Sequence, residues 1–184
     1  MNLKNAKIQL STIVICLIAL AISIALKLFY RQASVDELKF LLAPTSWLVS
    51  GCSSLDFDYV PQMGYFHKFT AILINKSCAG MNFWVITFSL SVLTSIRYYN
   101  KVPHQILLLI FLVVISFMVT ILANTCRIII SIFLLKLERI FSFLGTSWWH
   151  TFQGAFIYLT ILIIFYSLSQ YIHLKITKYH EKPA

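Results

Sequence analysis

Four stretches of this chain, at positions 8–26, 79–96, 105–123 and 152–172, approach the roughly 20 consecutive apolar residues that a helix needs to cross a bilayer. Of the 184 residues, 59% are hydrophobic and only 11% are charged. A soluble module has no room between the four windows, and neither a repeat nor a low-complexity tract interrupts them. The expected fold class is therefore an all-α integral membrane protein. It is read as one domain over residues 1–184, with about four transmembrane helices.

Lys4 and Lys7 precede the first apolar run, as they would in a secretory signal peptide. The run is long for such a leader and offers no convincing small-x-small cleavage site before Lys27, so it reads as an uncleaved first helix. With both termini on the inner side, Lys4, Lys7, Arg97, Lys101, Lys175, Lys178 and Lys182 fall on short inner segments. The other Lys and Arg residues are spread over longer outer loops, together with Asp36, Glu37, Asp56, Asp58 and Glu138. The side denser in basic residues is normally cytoplasmic. The expected location is thus the cytoplasmic (inner) membrane, crossed several times. The net charge of +9 suits anchoring against anionic lipid and calls for no nucleic-acid partner.

Between the first two spans, residues 35–49 carry Leu38, Leu41, Leu42 and Trp47 at helical spacing. Ser34 is a candidate N-cap, and Asp36 and Glu37 lie in the first turn, where the helix dipole favours acids. This predicts an amphipathic helix at the outer interface. Residues 51–76 mix aromatic, polar and turn residues and read as a hairpin-like outer cap. Residues 97–103 form a compact inner turn, with Pro103 suited to start the next helix. Apolar residues continue past Arg127 to Leu135, too few to cross back. A kink near Asn124, or an excursion along the interface, is therefore expected.

Three reactive side chains stand at the rims of these spans: Cys78, Arg127 and His150. The predicted topology gathers all three on the outer face. Cys78 opens Cys78-Ala79-Gly80 ahead of a span, and a helix N-terminus favours the thiolate of a cysteine placed there. Gly80 and its small neighbour also let a substrate backbone approach closely. Taken alone, Cys78 is as readily a small buried apolar residue. Arg127 alone reads as a snorkelling rim arginine, and His150 alone as a solvated bystander behind Trp148 and Trp149. Together they offer a nucleophile, an anion stabiliser and a proton carrier. His67 is the competing histidine on that side. Asn82 and Asn124 either orient these groups or serve helix packing. Cys16, Cys52 and Cys126 make no Cys-x-x-Cys or zinc spacing, so neither a metal nor a cofactor is expected.

At these positions the chain resembles the exosortase/archaeosortase family of membrane transpeptidases. That family is similar in having Cys-Ala/Ser-Gly at the start of a transmembrane helix, Asn-x-x-Arg at a helix end, and a late histidine before the last span. Here these fall on Cys78-Ala79-Gly80, on Asn124-Thr125-Cys126-Arg127 and on His150. The likeness covers positions 78–154 and leaves the N-terminal third unmatched. It implies a cysteine-type peptidase or transpeptidase with Cys78, Arg127 and His150 in catalysis. The implied substrates are membrane-anchored proteins ending in a sorting motif, a transmembrane helix and a basic cluster, and an acceptor would receive the cleaved protein. Two rival readings are a non-enzymatic helical subunit for assembly or transport, and a thiol-redox protein using Cys52, Cys78 and Cys126.

Overall fold

The structure is a computed structural model that describes residues 3–96, 102–138 and 146–180, with side chains described for 12–96, 105–134 and 152–175. Its order is α1 (Leu3–Gln32), α2 (Lys39–Ser53), β1 (Asp58–Val60), β2 (Gly64–His67), β3 (Ile72–Ile74), a 3-10 turn (Lys76–Cys78), α3 (Met81–Ser95), α4 (Val102–Glu138) and α5 (Thr146–His180). Four helical stretches, Thr12–Gln32, Lys76–Ser95, Gln105–Leu134 and Phe152–Lys175, are long and apolar enough to cross a membrane. Helix dominates, but the all-α expectation needs a correction. The cap contains a three-stranded antiparallel sheet, β1-β2-β3, where only a hairpin-like loop was foreseen.

α3 sits centrally and packs on α1, α4 and α5. The outward faces are apolar, as at Leu17, Leu107, Phe156 and Ile164, whereas the buried seams hold many hydroxyls. Thr45, Ser91, Thr120 and Thr125 donate to carbonyls four residues earlier, so burial leaves them satisfied. Other polar groups bridge helices. Ser23 and Ser89 lie 3.2 Å apart between α1 and α3, and Ser95 lies 3.0 Å from His173 Nε2 between α3 and α5. The Trp84 indole N–H donates to Ser116 Oγ at 3.0 Å, tying α3 to α4. Small residues and hydroxyls inside with aliphatics outside is the arrangement that suits helices whose surroundings are as apolar as their side chains.

Two expectations change with the packing. α4 runs unbroken from Val102 to Glu138, about 55 Å at 1.5 Å per residue, with no break at Asn124. It packs against α2, α3 and α5, and contacts such as Ser131 with Gln153 and Asn124 with Tyr158 keep its second half alongside α5. α2 in turn is no free amphipathic helix. It buries Leu41, Leu42, Thr45, Ser46 and Val49, while Trp47, counted on the apolar face from spacing, is 75% exposed. Phe40 stacks on Phe117 of α4 at 6.1 Å and meets Trp84 of α3 edge-on at 6.4 Å, which fixes where α2 joins the bundle. The predicted inner turn falls largely on residues 97–101, outside the described residues, as does the segment 139–145.

The entry to α2 shows how the cap is held. Ser34 and Glu37 form a capping box: the Ser34 amide and hydroxyl donate to Glu37 Oε2 at 2.7 and 2.8 Å, and the Glu37 amide donates back to Ser34 Oγ. The regular helix starts only at Lys39, one turn later than Ser34 as N-cap implied. Asp36 between them accepts from the Tyr59 hydroxyl of β1 and from the Gln62 amide, and Lys39 Nζ lies 4.0 Å over the Tyr59 ring. In β2, Gly64 adopts φ +113°, and a Cβ there would collide with the Ile74 carbonyl, so β2 and β3 close only around glycine.

The Tyr59 hydroxyl, followed by the Gln62 amide, holds the Asp36 carboxyl below its ordinary range, and the bond to Asp36 pushes the Tyr59 phenol up to about 12. The stabilisation from Tyr59 is therefore complete below its ordinary pKa and is lost as pH rises through about 12. That from Asp36 is complete above the ordinary carboxylate range and is lost as pH falls through its lowered value. In Asp36→Asn the most basic tyrosine ionisation should move back towards the ordinary phenol range. Near-UV absorbance titration of tyrosinate, compared between the two proteins, checks this.

Candidate active site

The chain between β3 and α3 is tied down at each residue. Asn75 Oδ1 accepts from the Ser77 amide at 3.0 Å and the Ser77 hydroxyl at 2.7 Å, and the Cys78 amide donates to the Asn75 carbonyl at 2.8 Å. Lys76 reaches back to the C-terminal end of α1, its Nζ donating to the Ala33 carbonyl at 2.6 Å and lying 5.2 Å over the Tyr30 ring. The Tyr30 hydroxyl donates to the Lys76 carbonyl at 3.1 Å. A lysine at a helix C-terminus satisfies carbonyls that the helix leaves open. Here it also fixes the turn that carries the thiol.

Gly80 then takes the left-handed conformation, φ +66° and ψ +19°, and serves as N-cap of α3. Cys78 therefore does not open the helix, as the sequence suggested. It closes a 3-10 turn two residues earlier, because the left-handed glycine breaks the helical path between them. The uncapped N-terminus of α3 faces instead a cleft of about 430 Å3, bordered by Gly80, Met81, Asn82 and Phe83 together with Tyr30, Arg127 and Tyr158.

Asn124 is the link between helices. It is fully buried, its Nδ2 donates to the Ala79 carbonyl at 2.9 Å, and its Oδ1 accepts from the Tyr158 hydroxyl of α5. A Cβ on Gly80 would overlap the Asn124 amide, approaching Cγ to 2.8 Å, so glycine is required for space as well as for φ. Asn124 thus acts on the Cys78–Gly80 turn rather than capping a kink.

One turn further, Arg127 lies half-buried with its guanidinium carbon 5.4 Å over the Tyr158 ring. It makes no ion pair or hydrogen bond among the described residues. Its Cδ would stand 3.4 Å from a Cβ on Gly154, so α5 approaches at a residue without a side chain. Arg127 borders the larger cleft and also a second one of about 230 Å3, which Cys78, Ile72, Leu73, Ile74, Ile128 and Ser131 complete. From position 105 to position 127 α4 rises about 33 Å, close to the thickness of a bilayer core.

Of the residues singled out in sequence, Cys78, Gly80, Asn82, Asn124 and Arg127 therefore come together, Asn82 as an exposed residue of the larger cleft. His150 lies in the first turns of α5, one helical turn before Gly154, and its side chain lies outside the described residues. The competing His67 is buried among Phe57 and Phe69, and its Nδ1 accepts from the Thr70 amide at 3.2 Å, which is a turn-stabilising role. Cys16, Cys52, Cys78 and Cys126 are all free thiols. Sequence reasoning missed Tyr30 and Tyr158. The available signal for Tyr158 was its spacing of eight from His150, two turns along one face of α5. The chain matches no protein-family model, no curated protein and no solved structure.

Gly80→Ala should destabilise the protein by roughly 1–3 kcal/mol, since it strains φ and displaces Asn124. Gly51→Ala is the control: its Cβ would have open space in α2, and a small gain is expected from helix propensity. Thermal unfolding of the two variants in detergent micelles checks the contrast.

Proposed function

We propose that this protein is a membrane-embedded cysteine peptidase or transpeptidase of the exosortase/archaeosortase kind. It acts at the outer face of the cytoplasmic membrane on proteins that carry a C-terminal sorting signal. The observation that carries this reading is the shared border of Cys78 and Arg127 on one cleft, with no counter-ion for Arg127 among the described residues. A guanidinium beside apolar helices ordinarily faces a cavity or a partner, and a cleft shared with a nucleophile suits one that meets a developing anion.

In this mechanism the Cys78 thiolate attacks the carbonyl of a peptide bond just outside the substrate's transmembrane helix. Electron density moves to the carbonyl oxygen, and Arg127 stabilises the resulting oxyanion. His150 takes the thiol proton and returns it to the departing amine as the carbon–nitrogen bond breaks. The product is a thioester on Cys78. An acceptor nucleophile, or water, then attacks that thioester and releases the thiol. The larger cleft, bordered by Ser77 next to Cys78 and by Arg127, combines polar Asn82 with aliphatic Ile86, Leu159 and Leu162, a lining suited to a chain with both polar and apolar parts.

Cys78→Ala in the native host should abolish processing, leaving substrate proteins with their C-terminal helix, as read by mass spectrometry of membrane-protein C-termini. Cys16→Ala, Cys52→Ala and Cys126→Ala should retain most activity. Arg127→Lys should lose roughly 100-fold or more, because a point ammonium does not reproduce the planar fork of the guanidinium. Processing that survives Cys78→Ala, or is equally lost in Cys126→Ala, overturns the single-nucleophile mechanism and favours thiol-redox chemistry.

The orientation is tested separately. Phe69, 94% exposed at the turn between β2 and β3, is replaced by cysteine in a chain lacking the four native thiols. A membrane-impermeant maleimide should label it from outside intact cells. Labelling only after lysis reverses the orientation.

A further inference from the structure

Tyr158 touches both halves of the site, and neither composition nor motif assigns it a role. Its hydroxyl donates to Asn124, whose amide in turn holds the Ala79 carbonyl next to Cys78. Its ring carries the Arg127 guanidinium on one side and stacks on Phe83 of α3, with centroids 4.7 Å apart and planes 19° from parallel. The ring is thus fixed by α3, and the two reactive groups are fixed by the ring and its hydroxyl. Arg127 has no hydrogen-bonding or charged partner among the described residues, so nothing else described there holds the head of its flexible side chain.

We infer that Tyr158 is a positioning residue of the site: its ring seats Arg127 against the Cys78 cleft, and its hydroxyl, through Asn124, holds the turn that carries the thiol. Arginine stacks on aromatic faces through the negative face of the ring, an attraction that strengthens where water is scarce. A hydroxyl inside an apolar helix needs a partner, and Asn124 supplies one while using its own amide on Ala79. The two contacts are separable in chemistry, one belonging to the ring face and the other to the oxygen. The inference rests on the transpeptidase reading for what the positioned pair does. The geometry is testable without any substrate.

The experiment uses the full chain in detergent micelles, with Cys16, Cys52 and Cys126 replaced by serine so that Cys78 is the sole thiol. Its alkylation is timed with iodoacetate and with iodoacetamide. Both reagents lose iodide to the same thiolate, so the ratio of the two rates cancels thiol acidity and access. What remains is the attraction of the anionic reagent by nearby positive charge. The ratio should fall roughly threefold in Arg127→Gln at low ionic strength, the size expected of one unit charge at close range in a water-like dielectric. The difference should vanish in high salt.

Tyr158→Leu should lower the ratio to the Arg127→Gln level. Tyr158→pentafluorophenylalanine should do the same while keeping the shape of the ring, which covers the case in which the leucine variant does not fold. Tyr158→Phe should keep the wild-type ratio while both rates rise together, because only the hold on Asn124 is lost. A wild-type ratio in both ring variants overturns the seating of Arg127. Unchanged rates in Tyr158→Phe overturn the role of the hydroxyl. Neither result depends on whether Cys78→Ala blocks substrate processing, so failure of this inference and failure of the functional reading are told apart.

Discussion

A single buried amide holds the working end of this molecule together. Asn124 has no solvent contact, and its donor and acceptor are both used, one on the Ala79 carbonyl and the other on the Tyr158 hydroxyl. A buried amide with a missing partner is costly, and one with both satisfied defines a unique geometry. Here the geometry joins three elements: the turn before α3, the middle of α4 and the first third of α5. Gly80 is shaped to it, since any side chain there would occupy the place of the amide. The position of Cys78, the seat of Arg127 and the opening between α3 and α5 all follow from that contact.

The surrounding bundle explains why such a contact is decisive. Where the outward faces are leucine, isoleucine and phenylalanine, burying more of the same between helices gains little in an apolar medium. Specific pairing must come from hydrogen bonds, small residues and ring contacts. Ser23 with Ser89, Ser95 with His173 and Trp84 with Ser116 set the register of α3 against its neighbours. Among the described residues the buried Thr87 hydroxyl has no hydrogen-bond partner.

At the sheet-bearing end the rules change to those of a soluble surface. A capping box, an aspartate–tyrosine tie and a strand pairing closed around Gly64 hold a small cap against α2. That cap supplies one wall of the second cleft, through Ile72, Leu73 and Ile74, so it shapes the site as well as covering the bundle. The unbroken course of α4 belongs with this. A helix longer than a bilayer core can extend when its far half has α5 to pack against.

Properties that add up residue by residue along the chain were readable from it. Hydropathy summed over a window marked the four long helices, and Ser34 announced a cap. The gathering of Cys78, Asn124 and Arg127 was legible because each stands at the end of an apolar window, and window ends fall at common heights. What tertiary structure alone decided were relations between distant side chains. Cys78 stands off the helix because Gly80 turns left-handed against Asn124. Trp47 points outward because α4 and the sheet claim the other face of α2. Tyr30 and Tyr158 enter the site because α1 and α5 pass beside it, and His67 leaves it because Phe57 and Thr70 enclose its ring. Such relations depend on how helices far apart in sequence pack, and no local sum along the chain contains that information.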